Sequence, residues 1–488
     1  VSMLASTSLT DWLAPGSPAI DQAIRRASSP GHESWWQRCA AVGFCANPVQ
    51  ASACDPDLGR RMAVMIRCGN RRAAICPSCS DLYAADTWQL VHAGTQGGHH
   101  GMPETTANRP QVFATLTAPS FGAVHTSSSR PGLADTVCHS AFSGKSHCPH
   151  GKALWCNAIH ASDDPEVGQP LCPDCYDYTG HVLFNWHAPE LWRRFTIALR
   201  RAVADHLRRI GIDPNAVRVS FVKVAEYQRR AVVHYHTIIR LDPPNNDDSS
   251  TGASDAKVSA IELAALVRQA ANQVRLPVTV DAAAGAAATA SESEARMLRF
   301  GSQIDTQPLN DIDDTGKPGL ARRVAAYLAK YTTKSVAEFG IAARRISPAA
   351  IAELDIPAHT RRILSTLVNL ATLPANTAMA GWLHTLGYRG HITSKSRRYS
   401  ITMTALRAVR RHWRIHRADQ PEHVDVQHNS HDQEDWSNSA CGLSDWRIDG
   451  VGHRNDGERL LVHTAALRAR EYRYLARLDA SQNSGASP

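Results

Sequence analysis

Residues 217–241 constrain the fold more than any other stretch. VRVSFVKVAEYQ (217–228) and VVHYHTIIRL (232–241) are dense in β-branched and aromatic residues, a composition that suits a pleated, half-buried surface. Only Arg229, Arg230 and Ala231 separate them, which predicts an antiparallel hairpin. Successive side chains on a strand point to opposite faces, so His234 and His236 share one face and Tyr235 takes the other. With a three-residue loop Gln228 pairs with Val232, and Glu226 falls opposite His234 on the same face. Two imidazoles and a carboxylate together form a donor set for Mg²⁺ or Mn²⁺ when a substrate supplies phosphate oxygens. A two-residue loop would reverse the parity and remove Glu226 from that face.

Further along, AAYLAKYTTK (325–334) places Tyr327 and Tyr331 four residues apart, on one face of an expected helix over 319–338. Ala325, Ala326, Leu328 and Ala329 give this helix a small, apolar setting, with Lys330 beside the tyrosines. A pair at this spacing is most often a packing pair. EYRY at Glu471–Tyr474 is the control: it has two tyrosines but no Lys-Tyr step and no small-residue helix, and no chemistry is assigned to it. A phenol with a pKa of about 10 needs a cation or a metal-bound partner to attack. The metal would polarise a scissile phosphate, and Lys330 or Lys334 would supply the cation if one of them faces the site.

Charge points to an anionic partner. The chain has 488 residues, a formal net charge of +8 and a pI near 8.9. The excess is concentrated: residues 341–420 hold 13 Lys and Arg against Glu353, Asp355 and Asp419. Within them GYRGHITSKSRRYSITMTALRAVRRHWR (387–414) interleaves Arg389, Lys395, Arg397, Arg398, Arg410 and Arg411 with Tyr388, Tyr399 and Trp413. Cations neutralise phosphates and aromatics stack on bases, so this stretch is expected to bind DNA. Residues 421–457 reverse the sign, with 8 Asp and Glu against Arg447 and Arg454, and read as a disordered acidic linker.

No run of apolar residues is long enough to span a bilayer, and VSMLASTSLTDWLAPG lacks the basic start and apolar core of a signal peptide. A cytoplasmic protein with no membrane partner is expected, and its 12 cysteines are then thiols or metal ligands rather than disulfides. CPSC (Cys76–Cys79) and CPDC (Cys172–Cys175) have the spacing of zinc knuckles, each needing a second pair to complete a tetrahedron. Cys54 and Cys68 complement the first, with Cys39 and Cys45 as rivals. Cys148 and Cys156 complement the second, with Cys138, His139, His150 and His160 competing. Two structural Zn²⁺ ions are expected, and Cys441 is expected to be unligated.

The remaining stretches give the domain order. Residues 1–38 form an N-terminal segment, helical in part, and 39–109 a Cys-rich zinc module. QVFATLTA (111–118) is a buried strand. A second zinc module occupies 138–181. A helix follows with Pro189 near its start, ended by Gly211 and Pro214. Residues 242–316 read as a flexible surface excursion, with helical periodicity only over 257–276. A last helix and tail occupy 458–488.

Three motifs now stand in order: FATLT (Phe113–Thr117), His234–Tyr235–His236, and Tyr327 to Tyr331. In order and context they resemble the HUH endonuclease superfamily, in the branch that initiates rolling-circle replication. PLCPDCYDYTGHVLFNWHAPELWRRFTIALRR (170–201) and GYRGHITSKSRRYS (387–400) resemble actinobacterial plasmid and integrative-element initiators of the RepSA type, and the resemblance covers most of 39–420. It implies an α+β fold: a HUH core over 110–340, an antiparallel sheet with helices on one face, carrying zinc modules and a basic C-terminal region. It also implies a metal held by His234, His236 and Glu226, first attack by Tyr331, and Tyr327 as second nucleophile or accessory. The activity implied is nicking of one origin strand through a 5′-phosphotyrosine, with later rejoining. Glycine is expected in the hairpin before the histidines, where this chain has Ala231. No GxxxxGK[ST] sequence occurs, so unwinding would fall to a host helicase, with a host polymerase extending the 3′ end. A relaxase or single-strand transposase would share this chemistry; a zinc-containing DNA-binding regulator would need neither tyrosine.

Overall fold

The computed structural model describes residues 12–55, 59–127, 136–140, 147–244, 258–280, 294–309, 319–341, 345–419 and 444–483. In chain order its strands are β1 (Val49–Asp55), β2 (Arg60–Ile66), β3 (Gln111–Leu116), β4 (Arg218–Tyr227), β5 (Val233–Asp242), β6 (Leu276–Val280), β7 (Glu294–Leu298), β8 (Ile304–Pro308), β9 (Thr393–Lys395) and β10 (Ser444–Val451). Its α-helices are α1 (Ala19–Ala27), α2 (His32–Ala41), α3 (Pro77–Gln96), α4 (Tyr178–Arg209), α5 (Ala260–Gln273), α6 (Gly319–Tyr331), α7 (Ala358–Ala371), α8 (Met403–Asp419) and α9 (Asp456–Asn483). They form two compact units, one of residues 1–86 with 403–488 and one of residues 87–402. Among the described residues no helix is long and apolar enough to cross a membrane.

The larger unit is built on a five-stranded antiparallel sheet in the order β8-β3-β5-β4-β9. Alternation sorts its side chains. Val112, Ala114, Leu116, Ala225, Tyr235 and Ile239 face a core shared with α4 and α5, while Phe113, Thr115, Glu226, His234 and His236 face the other way, as their pairing registers require. The core side also takes in Lys223, which is 4% exposed. Its ammonium lies 4.4 Å over the Tyr235 ring and donates to the Tyr388 hydroxyl. Burial pulls its pKa down to about 7.

Helix α4 begins eleven residues before Pro189. The Asp177 carboxylate caps it by accepting the Gly180 N–H at 2.8 Å, and Val182, Leu183, Phe184 and Trp186 are buried in its first half. Proline inside the helix forfeits one backbone hydrogen bond, and this apolar burial outweighs that loss.

The described residues within 242–316 are not a surface excursion. Helix α5 buries Leu263, Ala264, Leu266, Val267 and Ala270 in the main core, and β8 forms one edge of the central sheet. The basic stretch is likewise not one region: residues up to Thr402 belong to the sheet-bearing unit and those from Met403 to the other.

The smaller unit joins chain segments far apart in sequence. Strand β10 pairs antiparallel with β1, which pairs with β2, and α9 packs on α1. The expected acidic linker therefore contains a strand at Ser444–Val451; residues 420–443, with Cys441, lie outside the described residues.

Candidate active site and metal centres

The β4–β5 turn closes with the three-residue loop. Gln228 N–H donates to Val232 O at 2.8 Å and Ala231 N–H to Gln228 O at 2.7 Å. Ala231 carries the left-handed conformation this needs, with φ 64°. Buried groups grip the turn from outside: Asn185 donates to Ala231 O at 3.1 Å and accepts the Val233 N–H at 3.0 Å. His181 Nε2 meets Ala231 O, and His359 Nε2 meets Arg230 O. Each bond contributes about 1 kcal/mol net, and together they allow only one register.

That register sets Glu226 opposite His234. The Glu226 Oε2 lies 3.1 Å from His234 Nε2 and 3.0 Å from His236 Nε2. Burial raises the Glu226 pKa, but the two imidazoles and the Lys334 ammonium overcome it and bring the carboxyl to about 2. Burial lowers the His236 pKa, which favours neutral imidazole. Thr115 Oγ1 sits 3.1 Å from His236 Nδ1 and leaves Nε2 aimed at the shared centre. The cis edges of an octahedron with bonds of about 2.1 Å measure about 3.0 Å, so the carboxylate oxygen has the spacing of a cis ligand to each imidazole in a divalent-cation site.

Helix α6 buries Val324, Ala325 and Leu328 and turns both tyrosines to the histidines. Tyr327 Oη is 3.3 Å from His236 Nε2. The Tyr327 and Tyr331 rings stand 4.5 Å apart, with Tyr331 5.6 Å from the His236 ring. Burial, together with hydrogen bonding to Tyr331, pushes the Tyr327 hydroxyl pKa up. Of the two candidate lysines, Lys334 faces the site: its Nζ is 3.1 Å from Glu226 Oε1 and 4.7 Å over the Tyr331 ring. Lys330 is exposed and stands 5.9 Å over the same ring. Phe113 stacks on His236 at 5.9 Å and fixes the wall of the site.

The cysteine clusters differ from the expected sets. The first gathers Cys45, Cys68, Cys76 and Cys79, with Cys45 Sγ 3.8 Å from Cys76 Sγ and 3.6 Å from Cys79 Sγ. The edge of a tetrahedral zinc–thiolate site is about 3.8 Å. Cys54 is not part of it: it lies on β1 paired with Arg61. Cys39 is buried beside Met65, where burial pushes its thiol up to about 12. The second cluster gathers Cys148, His150, Cys172 and Cys175, with His150 Nδ1 3.3 Å from Cys175 Sγ. Cys156 is absent from this cluster. It stands with His125, Cys138 and His160. These clusters could hold zinc.

The basic residues also divide. Arg389, Arg397, Arg398 and Arg411 are exposed; Arg398 reaches Pro244 O, and Arg389 lies over the Trp186 ring. Lys395 donates to Ser400 O at 2.8 Å and Arg410 pairs with the buried Asp86, so both are committed to structure. Tyr388 and Tyr399 are 1% and 0% exposed, which leaves neither ring a face for a base.

Sequence reasoning missed Thr115, whose signal was the threonine two residues after Phe113 in FATLT, opposite His236 once β3 pairs with β5. It ranked Cys45 and His150 as rivals only, because a lone cysteine or a CPH step has no fixed partner spacing.

Comparison with known proteins identifies the family. The family model described as "Replication initiator protein, pSAM2", RepSA, matches residues 31–467. A replication initiator protein of Streptomyces ambofaciens is 36% identical over 477 residues, covering 93% of this chain and 94% of the relative. No solved structure matches. With a family match over most of its length and a relative aligned nearly end to end, the chain belongs to the RepSA family of replication initiator proteins.

Proposed function

We propose that this replication initiator is a HUH-type endonuclease that starts rolling-circle replication of a plasmid or integrative element. It binds origin DNA and cuts one strand by transesterification. The observation that carries this reading is the convergence of Glu226, His234 and His236 with Tyr327, whose hydroxyl is 3.3 Å from His236 Nε2.

A divalent ion, Mg²⁺ or Mn²⁺, held by Glu226, His234 and His236 would polarise the scissile phosphate. First attack is assigned to Tyr331, the tyrosine of the Lys-Tyr step, because the ammoniums of Lys334 and Lys330 lie over its ring. The Tyr331 oxygen bonds to phosphorus as the P–O3′ bond breaks. The leaving oxygen takes a proton and becomes the 3′-OH that primes synthesis, while the 5′-phosphate stays on tyrosine. Rejoining is the reverse displacement, and Tyr327 is placed for a second transfer. Exposed Arg389, Arg397, Arg398 and Arg411 are assigned to phosphate contacts. Zinc on the first two cysteine clusters is structural, since four-ligand sites leave no open position. Unwinding and synthesis fall to a host helicase and polymerase.

The test is incubation of the full chain with single-stranded origin oligonucleotide and Mn²⁺, followed by a search for an SDS-resistant protein–DNA adduct. Adduct is expected with wild type and Tyr327→Phe, and not with Tyr331→Phe. No adduct on any origin sequence, or adduct from the double tyrosine variant, would overturn the mechanism.

A further inference from the structure

The segment between β3 and α4 contains a third cluster of donors besides the two built on CxxC pairs. His125, Cys138, Cys156 and His160 bring four ligand atoms within 4.8 Å of one another. We propose that this cluster is a third zinc site, a His₂Cys₂ centre that clamps the segment against the β4–β5 turn.

The spacings are those of a tetrahedron. Bonds of about 2.05 Å to nitrogen and 2.3 Å to sulfur give edges of about 3.3 Å for N···N and 3.5 Å for N···S. His125 Nδ1 and His160 Nε2 are 3.2 Å apart. Cys156 Sγ is 3.4 Å from His160 Nε2, and Cys138 Sγ is 3.8 Å from His125 Nδ1. Two thiolates neutralise a zinc ion. The far nitrogen of His160, Nδ1, lies 2.8 Å from Asp164 Oδ2, the carboxylate–histidine arrangement that fixes the tautomer of a zinc ligand. The Thr126 N–H donates to Cys138 Sγ at 3.2 Å.

The ligands arrive from distant segments paired by only a few backbone hydrogen bonds. His139 and Cys156 exchange two at 2.9 Å, and His125 exchanges two with Gly168 and Gln169 at 2.8 Å. The described residues between β3 and α4 form isolated bridges and turns rather than a regular sheet. A chain with so little apolar core gains most of its rigidity from a bound ion.

What the ion would hold is the active-site hairpin. Gly168 packs so closely on the turn that a Cβ there would stand 2.4 Å from the Arg229 carbonyl carbon and 2.7 Å from Arg230 N. The Arg229 guanidinium donates to Ser162 O, and Arg230 donates to Pro119 O at 3.1 Å. The turn that sets the register of Glu226 against His234 is thus braced by the loop that follows His160.

Native mass spectrometry of the full chain tests the site without relying on DNA cleavage, so it stands apart from the nicking reading. His234→Ala with His236→Ala removes the sheet site from the count, and this protein should hold three zinc ions. Adding Cys138→Ser and Cys156→Ser should leave two. A count of two in the first protein, or three in the second, overturns the proposal. Asp164→Asn is the gentler arm, since Asp164 is not a ligand. It should keep three ions and surrender one to a chelator at least tenfold faster, and unchanged release of all three would also overturn it.

Discussion

The Glu226–His234–His236 cluster and the Cys45–Cys68–Cys76–Cys79 cluster both gather cation donors, but they are built in opposite ways. The first lies on adjacent strands whose pairing was set by hydrogen bonds and burial, and it offers three ligands. The second draws its ligands from residues 45–79 around a small core of Val42 and the cysteines, with Ala46 and Met65 packed against it, and it offers four. Three donors on a rigid sheet leave positions open for substrate; four thiolates close the ion off. On the proposed function, a cation on the sheet would act on something outside the protein, and one on the cysteines would hold the protein together.

The largest expected effect probes that division directly. His236→Ala should lower single-turnover cleavage of an origin oligonucleotide on the order of a thousandfold, the loss expected when a metal's several kcal/mol of transition-state stabilisation goes. Zinc content and melting temperature should stay near wild type. If His236→Ala instead unfolds the chain and leaves cleavage per folded molecule unchanged, the sheet site is structural and the contrast collapses.

Cys45→Ser should do the reverse. It should remove one zinc and destabilise its own unit by roughly 3 kcal/mol or more, while cleavage of a short single-stranded oligonucleotide changes less than about tenfold. Cys54→Ser, one strand away, should keep the full zinc count. Loss of a zinc from Cys54→Ser with none from Cys45→Ser, read by metal analysis, would reverse the ligand assignment.

These two clusters also show what the sequence could disclose. Strand periodicity is two and the loop is three residues, so Glu226 could be set against His234 by counting alone. Burial then locked the register through Asn185 and His181, neither of which the count needed. The zinc loops have no period. Cys54 reads ahead of Cys45 as the partner for CPSC until the backbone is known, and Cys156 reads with CPDC until His125, far upstream, is seen beside it. The basic stretch misled for a related reason: charge and aromatic content do not say which side chain is exposed, and Tyr388 and Tyr399 spend their rings in the core.

A smaller effect separates the two lysines beside the tyrosines. Lys334 is one-third exposed and 3.1 Å from Glu226 Oε1, so on the proposed mechanism it would compete with a cation for that oxygen while supporting Tyr331. Lys334→Met should tighten Mn²⁺ binding severalfold and slow cleavage about tenfold, the modest size reflecting solvent screening. Lys330→Met should change either quantity by less than about threefold. Equal effects from both, in titration calorimetry and single-turnover rates, would remove the distinction drawn between them.

The smallest expected effect lies at the turn on which the sheet site depends. Ala231 sits at φ 64°, a conformation that costs an alanine about 1 kcal/mol relative to glycine. Its methyl is also fully buried, and removing a buried methyl forfeits about 0.8 kcal/mol. The two terms oppose each other, so Ala231→Gly should shift stability by less than about 0.5 kcal/mol and leave the cleavage rate within twofold. A gain of a full kcal/mol in calorimetry would mean that the methyl packs on nothing that matters. A loss of that size would mean that Ala231 braces the register through its side chain. Only in the second case would cleavage fall with stability, because Glu226 and the histidines would no longer be held opposite one another.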